Sequence, residues 1–125
     1  MRSTAPLDPF VAHCVELMAP LGSVRSKRMF GGHGLYLDEH FIAILTHERL
    51  YLKTDADTQP RFEAAGCEPF VYDGGGKRVQ MGFWTVPPEA LESPALMTPW
   101  ARLALQAALA KAKARAGAPP RPRTR

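Results

Sequence analysis

Between Val24 and Lys53 the hydrophobic period is that of strands, not helices. The runs GLYL (34–37), FIAIL (41–45) and RLYLK (49–53) are short and rich in β-branched and aromatic residues. Only the polar connectors DEH and THE separate them. Parallel neighbours need a crossover of a dozen residues or more, so connectors this short dictate antiparallel hairpins. A strand around Ser23 to Met29 begins the meander. With His47-Glu48 as a two-residue turn, Phe41, Ala43, Leu45, Leu50 and Leu52 share one sheet face. Ile42, Ile44, Tyr51 and Lys53 then share the other.

Helical signals flank this sheet. In DPFVAHCVELMAPLG, Asp8 is a good N-cap and Pro9 suits the first helical position. Phe10, Cys14, Leu17, Met18 and Leu21 recur at helical spacing, and Pro20 and Gly22 stop the run. DTQPRFEAAG (57–66) predicts a second, short helix, with Gly66 at the left-handed position after its end. CEPFVYD and KRVQMGFWTV form a hairpin across Gly74 to Gly76, and a short helical turn is expected around Glu89 to Leu91. Thr98 is expected to cap the last helix, with Pro99 first and Gly117 ending it. The order is helix, three or four strands, helix, two strands, helix. The fold class is α+β, one antiparallel sheet with helices packed on it. At 125 residues the chain makes one domain, expected over 1–117, with a disordered basic Pro/Arg tail at 118–125.

Charge and composition narrow the function. Hydrophobic content of 46% and charged content of 22% are those of an ordinary globular domain. There is no 18-residue apolar run and no secretory h-region, so a cytoplasmic protein with reduced cysteines is expected. The net charge is +4, but six bases fall in the last fifteen residues, leaving ten bases against twelve acids elsewhere. A body so near neutrality is a poor footprint for nucleic acid, and any such contact is expected to be weak and carried by the tail. Arg25, Lys27 and Arg28 are the body's contribution if they point outward.

Several chemistries lack their residues. Gly31, Gly32 and Gly34 fit neither a P-loop nor a dinucleotide fingerprint, because the chain continues as a strand where a helix N-terminus is needed. They are read as a structural turn or bulge. Lys77 and Arg78 beside the second glycine cluster are read as solvated charges at a hairpin tip. Cys14 and Cys67 form no zinc pair, and His33, His40 and His47 fall at strand connections, so no metal and no cofactor are expected. Asp38/Glu39 and Asp55/Asp57 read as turn and cap residues, and no nucleophile motif occurs. No catalytic residue is assigned. What stands out is an apolar second sheet face: Tyr36, Ile42, Ile44, Tyr51 and Trp84 are the candidate interaction surface, for a protein partner or a second copy.

RMFGGHGLYL, RLYLKTD, RFEAAGCEPFVY and VQMGFWTVP, in this order, resemble the N-terminal domain of the TfoX/Sxy competence-regulator family, over roughly Val24 to Ala110. The resemblance implies an α+β domain in the order α-β(3)-α-β(2)-α, and its hallmark falls on Met29, Phe30, Gly31, Gly32 and Gly34. It implies no established catalytic residues. Full competence regulators add a C-terminal domain, and this chain, ending in GAPPRPRTR, is expected to be a stand-alone member. The resulting expectation is a non-enzymatic interaction or regulatory domain, linked by the resemblance to competence or transcriptional regulation. The alternatives are a small-molecule binder or enzyme with a cleft beside the glycine turn, and a weak nucleic-acid accessory using the basic tail.

Overall fold

A computed structural model describes residues 9–29, 32–46, 48–74 and 77–117. The basic tail at 118–125, with Asp8, Phe30, Gly31 and His47, lies outside them. Helix α1 (Pro9–Leu17) is followed by a one-turn 3-10 segment (Ala19–Leu21). The strands β1 (Val24–Met29), β2 (Gly32–Leu37), β3 (His40–Thr46) and β4 (Arg49–Lys53) then run as the expected meander. Helix α2 (Gln59–Ala64) leads to β5 (Pro69–Gly74) and β6 (Lys77–Trp84). A 3-10 segment (Pro88–Glu92) precedes the long helix α3 (Pro94–Gly117). All six strands form one antiparallel sheet in the order β1-β2-β3-β4-β6-β5. The fold is α+β, with four strands before α2, one more than the order implied by the resemblance.

Local chemistry explains most element ends. Asp38 and Glu48 adopt φ of 58° in the turns that close the β2–β3 and β3–β4 hairpins. Gly66 takes φ +82° after α2, the left-handed position expected of it. The Asp55 carboxylate accepts the N–H groups of Asp57 at 3.0 Å and Thr58 at 2.9 Å. The Thr58 hydroxyl in turn accepts the Asp55 N–H at 3.0 Å, so the loop into α2 is tied by its own side chains. This is the turn role read for the Asp55/Asp57 pair.

Helix α3 begins earlier than expected. Ser93-Pro94 supplies a start signal five residues ahead of Thr98-Pro99, and the Ser93 hydroxyl accepts the Leu96 N–H at 3.2 Å. Thr98 is therefore no cap. Its hydroxyl donates to the Pro94 carbonyl at 2.7 Å, one turn back, and Pro99 lies inside the helix. At 24 residues α3 is about 36 Å long, enough to cross the sheet.

The core lies between the helices and one sheet face. Leu35, Leu37, Ala43, Leu45, Leu50 and Leu52 form the sheet side, as the two-residue β3–β4 turn demands. Cys14, Leu17, Phe62, Met97, Ala101 and Ala104 form the helical side. Phe62 of α2 meets Trp100 of α3 edge-on, centroids 5.0 Å apart. His13 donates through Nε2 to the Leu91 carbonyl at 2.7 Å, tying α1 to the second 3-10 segment.

One irregularity changes the register. Leu35 faces Ala43, but the next residue, Tyr36, faces Phe41. Ile42 is thus the extra residue of a β-bulge. It turns into the core beside Ala43, and both are fully buried. Phe41 is displaced to the opposite face. The alternation expected for FIAIL holds only from Ala43 onward.

Candidate functional site

Of the glycine-rich stretch, Gly31 lies outside the described residues, and Gly32 and Gly34 lie in β2. Met29 pairs with Gly32 across the β1–β2 hairpin, with Phe30 and Gly31 between them. Gly32 keeps an ordinary strand conformation, and its missing Cβ has a different purpose. A Cβ there would run into the Leu45 backbone carbonyl oxygen on β3. The glycine permits close backbone approach, not a left-handed turn and not a phosphate cradle. Gly34 is buried in the pairing of β2 with Lys27 and Ile44.

The second sheet face carries the cluster of functional interest. Tyr36 of β2 stacks on Phe41 of β3, centroids 5.1 Å apart and planes 24° from parallel. Phe41 lies 5.4 Å from Phe83 of β6. The Arg25 guanidinium of β1 sits 5.2 Å from the centre of the Tyr36 ring. The Lys53 ammonium sits 5.7 Å from the Phe41 ring and 5.0 Å from the Phe83 ring. Each cation meets the negative face of an aromatic quadrupole. Further along, Tyr51 of β4 meets Phe70 of β5, centroids 4.9 Å apart, and Arg49 donates to the Tyr51 hydroxyl at 3.5 Å. Arg49 also pairs with Glu68 at 3.6 Å, an exposed pair that adds little stability.

Three of the five surface residues expected from the sequence lie on this face: Tyr36, Ile44 and Tyr51. Ile44 and Tyr51 are cross-strand partners. The other two do not. Ile42 is drawn into the core by the bulge, and Trp84 joins the core because it pairs with Leu52 and so takes Leu52's side. Sequence reading missed Phe41, Phe70 and Phe83. Phe83 was legible, since it must oppose Trp84 once β6 is placed against β4. Phe41 was not, because nothing local announces the bulge.

The cysteines do not make a nucleophile. Burial pushes the Cys14 thiol up to about 12. Burial also raises Cys67, opposed by a hydrogen bond with Thr85 and reinforced by Glu89. Both remain protonated thiols at neutral pH, the unreactive form. Among the described residues, no three His, Cys, Asp or Glu side chains gather as a metal-holding group, and no helix is long and apolar enough to cross a membrane. A cleft of about 360 Å³ is lined by Arg49, Leu50, Gly66, Cys67, Thr85 and Pro87. Another of about 510 Å³ lies between Lys53, Thr54, Phe83 and Lys111. Among the described residues, neither cleft is lined by Gly32 or Gly34.

The model of the TfoX N-terminal domain matches residues 16–108. A stretch of 50 residues is 38% identical to the DNA transformation protein TfoX1 of Aliivibrio fischeri (strain ATCC 700601 / ES114). That stretch is 40% of this chain and 24% of the relative, so the likeness takes in about a quarter of the longer protein. The family match, by contrast, runs from the end of α1 through the whole sheet and into α3. The chain belongs to the TfoX N-terminal domain family.

Proposed function

We propose that this domain is a non-enzymatic regulatory module that works by binding a macromolecular partner on the open face of its sheet. The carrying observation is the aromatic cluster outside the core. Tyr51 and Phe83 are only 8% and 7% exposed, and Tyr36, Phe41 and Ile44 are half-buried, yet none belongs to the core beneath the helices. An antiparallel sheet with one solvated face ordinarily carries polar residues there. Rings held in place by one another and by cations are rigid, so little ordering entropy opposes binding. The relative's name, a DNA transformation protein, supports a link to competence and its regulation.

The test is complementation in the parent organism. A strain lacking the gene receives either the parent chain or a chain with Tyr36→Ala and Phe41→Ala, checked for folding by circular dichroism. The parent is expected to restore the transcript profile that the deletion alters. The variant is expected not to restore it. Full restoration by the folded variant would show that the face is irrelevant to function.

A further inference from the structure

The whole-chain charge conceals a segregation that the fold creates. Of the twelve acidic residues, only Asp73 falls in a described strand. Strands β1 to β4 contain Arg25, Lys27, Arg28, Arg49 and Lys53 and no acid at all. Their neighbours Asp38, Glu39 and Glu48 occupy the hairpin turns, and Asp55 follows β4. Strand alternation then sorts the bases. Arg25 shares its side with its cross-strand partner Tyr36, and Lys27, two residues on, takes the same side opposite Gly34. Lys53 faces Phe83, and Arg49 reaches Tyr51. Four cations therefore share the face that holds the rings. Arg28 falls on the other side. Acids stand at the margins of this face: Glu68 pairs with Arg49, Glu39 shares a cleft with Phe41 and Lys53, and Asp55 shares one with Lys53 and Phe83, where Lys111 of α3 adds a further cation.

The arrangement is a row. Arg25, Tyr36, Phe41 and Phe83 follow one another at steps of 5.2, 5.1 and 5.4 Å, with Lys53 set against the last two rings. Resting on the reading of this face as the binding surface, we infer that its partner is a single-stranded nucleic acid. Successive bases lie against the partly exposed Tyr36 and Phe41, with the buried Phe83 backing Phe41, and Arg25, Lys27, Lys53 and Arg49 meet the phosphates.

The chemistry selects this occupant. A ring platform within a cationic groove is what an unstacked strand requires, because every base has a π-face and every link a negative charge. Sheets with two or three such aromatics bind about as many bases. A duplex fits less well. Its bases are already stacked, and its major groove takes a helix or a two-stranded ribbon, not a broad sheet face. A second copy fits less well again. Two-fold docking brings the same patch from both copies together, so eight cations would be gathered in one interface as they lost water.

The experiment is fluorescence anisotropy on the full chain, using labelled oligo-dT and oligo-rU twelve-mers and a duplex of the same length, between 50 and 200 mM NaCl. Both single strands are expected to bind more tightly than the duplex, and a preference between them tells DNA from RNA. Four phosphate contacts predict a log–log salt slope of about −3. Tyr36→Ala is expected to weaken binding about tenfold with the slope unchanged. Lys53→Gln and Arg25→Gln should each reduce the slope by about 0.7. These two keep the rings and serve if Tyr36→Ala misfolds. A chain with Arg121→Gln, Arg123→Gln and Arg125→Gln should keep its sensitivity to Tyr36→Ala.

Three results overturn the inference. One is no single-strand binding at 50 mM NaCl by the folded chain. Another is binding that disappears with the three tail substitutions but ignores Tyr36, Arg25 and Lys53. The third is a chain that self-associates through this face and is dissociated by Tyr36→Ala. If the face variants fail in complementation while single strands are not bound, the nucleic-acid inference falls and the regulatory face stands. If neither assay responds to the face, both fall.

Discussion

Tyr36 and Phe41 stack across β2 and β3 because Ile42 does not take its turn in the alternation. The bulge brings residue 41, not 42, opposite Tyr36, and the two rings meet with centroids 5.1 Å apart. One inserted residue thus does two things. It buries Ile42 beneath the helices, and it delivers an additional ring to the open face.

Ile42→Ala should destabilise the fold by about 2–5 kcal/mol, the cost of emptying a fully buried aliphatic site. Urea unfolding followed by circular dichroism measures it. A loss of a few tenths would mean that Ile42 lies on the solvated side and that the bulge is misplaced.

Ile44→Asp should leave the fold standing, because Ile44 is half-buried outside the core. Sedimentation should show a monomer for both parent and variant at about 100 μM, since a second copy is repelled by the cations of the face. A parent dimer that the variant dissociates would establish self-association instead.

Gly32→Ala and Gly66→Ala should both destabilise, for different reasons. At Gly32 the obstacle is the Leu45 backbone carbonyl, which cannot swing aside as a side chain would, and the cost is expected to be about 1–3 kcal/mol. At Gly66 there is open space, but φ of +82° penalises any L side chain by about 1–2 kcal/mol. Asparagine tolerates that backbone better. Gly66→Asn should therefore recover part of the loss in melting temperature, whereas Gly32→Asn should recover none.

Alkaline pH should weaken the fold through Cys14. Its pKa rises from 9.0 to about 12 because burial disfavours the thiolate. Between those values the folded chain keeps a proton that the unfolded chain has released. Stability is therefore unaffected well below pH 9 and falls as pH rises above it, by at most about 1.4 kcal/mol per pH unit from this group. Cys14→Ala removes the group at the cost of a small cavity. The stability gap between parent and variant should narrow from pH 8 to pH 10.5. A gap that stays constant over that range would show that Cys14 ionises freely in the fold.

The division between sequence and structure follows the range of the forces involved. Hydrophobic period, turn residues and helix caps act over a few positions. They were enough for the meander, for the β3–β4 register that places Leu45 opposite Leu50, for α1, for the 3-10 turn at Pro88–Glu92 and for the left-handed Gly66. The same locality misled at α3, where Thr98-Pro99 and Ser93-Pro94 carry equivalent start signals and the earlier one begins the helix. What tertiary structure alone decided is which side the aromatic residues take. Trp84 is buried because β6 docks on β4 thirty residues away, and Ile42 is buried because packing under the helices outweighs regular pairing with β2. Charge segregation has the same origin. Net charge adds all residues equally, whereas a sheet keeps only alternate strand residues on a face and moves the turn acids to its edges, so a body with more acids than bases presents a cationic aromatic surface.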